Sequence, residues 1–131
     1  MTIAKWTVLA AFMLPVMTVG LAKAGTIRLG RKNGGYDNNN PREWAGKLTG
    51  WHQRANAAQI NGFEGLPLFA AAVIFAQMAQ ADQARIDMLA LAYIGIRVVY
   101  TAMYLANLGS LRTLVWTAGL ATNIALLMMA A

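Results

Sequence analysis

The sequence predicts an all-α membrane protein, a bundle of four transmembrane helices forming one domain over residues 1–131. Three observations carry this prediction. Of 131 residues, 58% are hydrophobic and 12% charged, whereas a soluble domain carries about 25% charged residues. The charges cluster, which leaves four apolar runs near the roughly 20 residues that a hydrocarbon core requires. These runs are rich in Ala and Met with little period-two alternation, favouring helices over barrel strands.

The first span is expected at about 3–22, with Lys5 near its outer end and Pro15 as a kink point. Ala22-Lys23-Ala24 has the look of a signal-peptidase site, but the apolar run from Trp6 to Ala22 exceeds a usual signal core, so the segment is read as a retained span. The second span is expected at about 55–79, the third at about 86–106 and the fourth at about 111–131. Only Asn107-Leu108-Gly109-Ser110 joins the last two, which makes them antiparallel neighbours.

Orientation follows from the loops. The connection at about 23–54 holds Lys23, Arg28, Arg31, Lys32, Arg42, Lys47 and Arg54 against Asp37 and Glu43, whereas the next connection holds Asp82, Arg85 and Asp87. The positive-inside rule places the basic loop in the cytoplasm and both termini on the opposite side. The net charge of +6 is then a topology signal, and no nucleic-acid partner is needed to explain it. Gly34-Gly35 and Asp37-Asn38-Asn39-Asn40-Pro41 read as turns. Without cysteine there is no thiolate nucleophile or cysteine metal site, and the one histidine, His52, has no acidic cluster around it; no metal is expected.

Two charges interrupt the spans. Glu64 is the only ionisable residue between Ala55 and Ala81, and Arg97 interrupts the run from Met88 to Leu111. An ionisable group at membrane depth is costly and normally faces a bundle interior or a polar site. Arg54, Asn61 and Glu64 fall within about 80° of one helix face at roughly 100° per residue. Arg97, Tyr100 and Tyr104 share a face of the third span by the same periodicity. Glu64 lies about 15 Å beyond Arg54, and Arg97 about 15 Å before Asn107. Equal depth on antiparallel helices predicts a buried Glu64–Arg97 ion pair, or a ligand site with that pair as its floor. Arg112 opens the fourth span, where it is either a snorkelling anchor beside Trp116 or a partner of exposed N–H groups in binding an anion.

These residues together resemble the MAPEG family (membrane-associated proteins in eicosanoid and glutathione metabolism). Gln59-Ile60-Asn61-Gly62-Phe63-Glu64-Gly65-Leu66-Pro67-Leu68-Phe69 is similar to that family's second-helix signature. Ile27-Arg28-Leu29-Gly30-Arg31-Lys32 with Asn40-Pro41 resembles its basic first loop, and Arg97, Tyr100, Tyr104 and Arg112-Thr113 stand where its later motif residues are expected. The resemblance covers nearly the whole chain and is nearest to the small bacterial branch.

What the resemblance implies is a homotrimer of four-helix subunits, with glutathione bound between neighbouring subunits and open to the cytoplasm. Activity would be a glutathione transferase or peroxidase reaction on lipophilic electrophiles or lipid hydroperoxides drawn from membrane lipid. Arg112 would be the catalytic residue that holds the thiolate. Arg28, Arg54, Asn61, Glu64, Tyr100, Tyr104 and Thr113 would bind glutathione, and Arg97 would orient Glu64. Two positions depart from well-studied members: Ala57 replaces a glutathione-contacting Arg, and Trp116 replaces a Tyr. A second reading is therefore a non-catalytic trimer, or an accessory subunit of a larger membrane complex, whose pocket is filled by lipid or closed by the Glu64–Arg97 pair. Gly62 and Gly65, which permit close helix packing, fit that second reading.

Overall fold

The computed structural model describes all of residues 1–131. It contains α1 (Ile3–Thr26), α2 (Pro41–Gly46), α3 (Gly50–Met78), α4 (Gln83–Leu105) and α5 (Gly109–Met128), with one 3-10 turn at Arg31–Asn33. Helices α1, α3, α4 and α5 are long and apolar enough to cross a membrane, and the chain is an integral membrane protein. Helix α1 packs chiefly on α3 and α5 chiefly on α4; α3 and α4 also touch each other, and α1 and α5 lie on opposite flanks of that central pair.

The packing is small inside and large outside. Ala4, Ala11, Ala72, Ala76 and Ala90 are buried around Phe69, Ile86 and Leu126, whereas Trp6, Phe12, Met17, Phe75 and Leu114 point outward. Lipid is as apolar as leucine, so close backbone approach replaces hydrophobic burial as the packing force, and small residues go to the helix contacts. Gly62 is the sharpest case. A Cβ there would drive into the Pro15 ring, so the α1–α3 crossing requires glycine. A Cβ on Gly65 would meet the Tyr93 hydroxyl at 3.3 Å. Both glycines are thus used inside one subunit. The Tyr93 ring stacks on Phe69 at 4.0 Å between centroids, which ties α4 to α3.

The basic connection is more ordered than a succession of turns. Asn40-Pro41 begins a short helix, with Pro41 in its first turn, where a missing N–H costs nothing, and Glu43 at the favoured end of its dipole. Trp44 and Leu48 bury against Val19, Ala22 and Ala55, forming a second apolar cluster that covers this end of the bundle. Tyr36 meets the Trp44 ring edge-on at 4.9 Å and lies under the Lys23 ammonium at 4.4 Å. Asp37 accepts from the Asn39 backbone N–H (2.9 Å) and the Asn40 side chain (3.1 Å), and lies 3.8 Å from Arg31. Those hydrogen bonds, the Asn40 side chain first, hold its carboxyl below the ordinary value of 3.8.

The opposite end is closed by polar side chains. Asp87 on α4 accepts the Ala4 backbone N–H at 2.8 Å, capping α1 from another helix, and also accepts from Gln83 at 2.8 Å. Gln77 donates to Thr2 (2.9 Å) and to Gln83 (2.8 Å), so α1, α3 and α4 are joined in one network.

Candidate functional site

The sequence-predicted site residues gather at the basic end and along the α3–α4 seam. Arg54 sets the register of that seam: its Nε donates to the Leu105 carbonyl at 3.0 Å. A cation there satisfies an orphan carbonyl and faces the negative end of the α4 dipole.

From this anchor, Asn61 lies seven residues or about 10.5 Å inward on α3, and Arg97 lies eight residues or about 12 Å inward on α4. The two sit level, and Arg97 Nη2 donates to Asn61 Oδ1 at 2.9 Å. The expected Glu64–Arg97 ion pair is not formed. Ion pairs occur only between Arg31 and Asp37 and between Lys47 and Glu43, both in the loop. The helices meet at Leu105, two residues before the chain turn at Asn107. Glu64, about 15 Å inward, therefore overshoots Arg97. Glu64 instead stands exposed on the subunit surface. Arg97 orients Asn61, not Glu64, and leaves the Asn61 amide nitrogen free to donate.

Beyond Arg97 runs a stair of alternating cations and aromatic rings. The Arg97 guanidinium lies 4.2 Å from the Tyr100 ring centre, Tyr100 meets Tyr104 edge-on at 5.7 Å, and Arg112 lies 4.2 Å from the Tyr104 ring centre. Offsets of three and four residues stack Arg97, Tyr100 and Tyr104 on one face of α4, and the three-residue link to α5 brings Arg112 over its lower step. Asn107 makes that tight link with a left-handed φ of 61°, a conformation Asn tolerates. Cation–ring contact steadies each guanidinium over a ring while its N–H groups remain able to donate. Arg112 is half-buried, in the first turn of α5, with no carboxylate against it. Its backbone N–H is already taken by the Leu108 carbonyl at 2.9 Å, so the side chain is what it offers to an anion.

The remaining candidates stand apart from this stair. Arg28 is exposed just beyond the end of α1. Thr113 is exposed and its hydroxyl donates to the Gly109 carbonyl at 3.1 Å. Gln59 lines a groove of about 540 Å³ between α1, the loop and α3, together with Lys23, Arg42 and Asn56. Arg112 lines neither that groove, nor the cavity of about 150 Å³ within the loop, nor the apolar one of about 510 Å³ beside Phe75 and Leu127. The Tyr104–Arg112 stair is thus an open face. No group of His, Asp and Glu side chains suits a metal ion.

A bundle of membrane-length helices with a basic loop at one end and an Arg–Tyr stair leading to Asn61 defines a class of small integral membrane proteins with an anion-ready face at the basic end. Comparison with protein families is consistent with this: the model of the MAPEG family matches residues 3–131. The chain belongs to the MAPEG family, whose members are mostly glutathione-dependent membrane enzymes and eicosanoid enzymes. No curated protein and no solved structure matches it significantly.

Proposed function

We propose that the protein is a membrane-bound glutathione-dependent transferase or peroxidase that acts on lipophilic electrophiles or lipid hydroperoxides. The observation that carries this reading is Arg112: a half-buried guanidinium over the Tyr104 ring, without a carboxylate partner, at the basic end of the bundle. A cation so placed favours a thiolate over a thiol, lowering the thiol's pKa and raising the nucleophile's population near neutrality.

Other residues of the chain have the chemistry for the rest of the tripeptide. Glu64 is exposed and in no ion pair, the right charge for an ammonium group. Arg28 suits a carboxylate, and the Asn61 amide nitrogen, turned outward by Arg97, suits a carbonyl. Arg54 contributes through its outer nitrogens only, since its Nε is committed to Leu105. Because the Arg112 stair is open on one subunit, a neighbouring subunit is the natural second wall, which favours the homotrimer with glutathione at its interfaces. With the basic loop in the cytoplasm of an inner membrane, that site meets the soluble thiol while lipophilic substrate arrives from the bilayer.

In a transferase reaction the thiolate sulfur forms the C–S bond as the electrophile's leaving bond breaks, and a proton from solvent neutralises the departing group. In a peroxidase reaction the thiolate attacks the distal oxygen, the O–O bond breaks to give an alcohol and a sulfenic acid, and a second glutathione yields the disulfide and water. Arg112 acts in both by holding negative charge. The test is the ultraviolet thiolate band of glutathione mixed with protein in detergent. Wild type should generate it near neutral pH, and Arg112→Ala should not; an equal band from both would remove Arg112 from this role.

A further inference from the structure

Arg97 is the most buried charge in the bundle, 7% exposed, and the one protein hydrogen bond of its guanidinium goes to Asn61. Guanidinium has five N–H donors, and leaving them dry at membrane depth is expensive. On the other side of Arg97 lies a chamber of about 60 Å³ between three helices, bounded by Gly65 and Leu68 of α3, Tyr93 and Arg97 of α4, and Trp116 and Asn123 of α5. Asn123 is 4% exposed, and its Oδ1 has no hydrogen-bond partner in the protein. The unpaired Asn123 acceptor and the Arg97 guanidinium therefore line one small, mostly apolar cavity together with Tyr93, where α5 meets the α3–α4 seam.

The chamber lies deep. Counted inward from Leu105, Arg97 is about 12 Å and Tyr93 about 18 Å along α4, against a hydrocarbon core of about 30 Å. Its volume suits one or two water molecules, each of which occupies about 30 Å³ and needs two to four polar partners. An apolar ligand would leave Asn123 Oδ1 and the guanidinium unsatisfied, and a metal cation would face the Arg97 charge.

We propose that this chamber is a membrane-embedded water site in which one or two water molecules bridge the Asn123 carbonyl to the Arg97 guanidinium, fixing Arg97 toward Asn61. The site joins α5 to the α3–α4 seam, so Asn123 and Tyr93 are positioning residues for the Asn61 amide. Neither residue reaches the basic face. The proposal stands whether or not the protein uses glutathione.

The test is water-edited solid-state NMR of the ligand-free protein in liposomes, reading magnetisation transfer from water to the Asn123 side-chain amide and the Arg97 guanidinium. Wild type should show transfer to both. In Asn123→Leu, which keeps the volume and removes the acceptor, transfer to Arg97 should be lost, whereas transfer to the Asn38 side-chain amide in the exposed loop should persist. Absence of transfer to Asn123 in wild type overturns the proposal and does not require any variant to fold. Undiminished transfer to Arg97 in Asn123→Leu also overturns it, because the water would then reach Arg97 from the basic face.

Discussion

The two ends of the bundle are built on opposite principles. At the far end a polar network serves the fold: Asp87 accepts the α1 N-terminus and Gln83, and Gln77 joins Thr2 to Gln83. At the basic end several strong groups have no protein partner of opposite charge, notably Arg28 and Arg112 together with Glu64 on the adjoining seam. Buried or half-buried polar groups are normally paired. Of the three, Arg112 is half-buried and without a carboxylate, and the proposed function gives it a ligand or a neighbouring subunit as its partner. The contrast separates residues that hold the helices together from residues that wait for something else.

Substitutions at the two ends should therefore fail in different ways. Arg112→Ala should lower glutathione-dependent turnover by about a hundredfold, on the order of 2.7 kcal/mol in the barrier. Its melting temperature should stay within the scatter of surface variants. Loss of assembly in parallel with activity would place Arg112 among the structural residues.

Gly62→Ala tests the seam between the ends. A methyl group there meets the Pro15 ring, which sits in a helix and cannot swing aside. Overpacking of this kind costs about 1–3 kcal/mol, so the variant should unfold at lower temperature in detergent and bind all ligands more weakly. A melting curve that matches wild type would show that α1 shifts freely on α3.

Asp87→Ala removes the acceptor from the Ala4 N–H and should cost about 1–2 kcal/mol of stability. Asp87→Asn, which keeps an acceptor, should recover most of it. Turnover per folded molecule should be unaffected in either, and a selective loss of turnover would blur the division between ends.

The smallest effect concerns the loop. Asp37 has its carboxyl pKa lowered by the Asn40 and Asn39 hydrogen bonds, so its contribution is present above the ordinary value of 3.8 and is lost as pH falls through the lowered folded value. Tryptic cleavage cannot be followed in acid, but the fluorescence of Trp44, packed on Tyr36, can. It should be flat above about pH 4 and change only below it, and the change should vanish in Asp37→Asn. A transition near neutral pH would point to another group.

Much of the architecture was legible in the sequence because lipid imposes a length and a composition on any span. Residues 3–22, 55–79, 86–106 and 111–131 were expected, and α1, α3, α4 and α5 cover them with ends shifted by up to five residues. The shift is largest at the start of α3, where Trp51 and His52 pack on Gly25 and carry the helix beyond the apolar run. Shared faces were legible as well, since periodicity puts Arg97, Tyr100 and Tyr104 in one line. What periodicity cannot supply is register between helices. The Glu64–Arg97 pairing failed by about 3 Å of depth, or two residues, because the Arg54–Leu105 contact that sets register joins a side chain to a backbone carbonyl. Helix α2 was hidden because its Asn40-Pro41 start looks like a turn until Trp44 finds Val19 and Ala22. Asp87 gave no signal, since a carboxylate in a short loop resembles surface charge until its partner at Ala4 is known. Asn123 likewise looked like part of an apolar run, and only its burial shows that it has work to do.

The central claim is that the unpaired charges at the basic end are the site of glutathione. Calorimetric titration of glutathione into detergent-solubilised wild type, beside Arg112→Ala and Glu64→Gln, tests it most directly. The account predicts saturable binding by wild type that each substitution weakens or abolishes, while Asp87→Asn binds as wild type does. No heat of binding from a correctly assembled wild type, or equal binding by all four proteins, would contradict it.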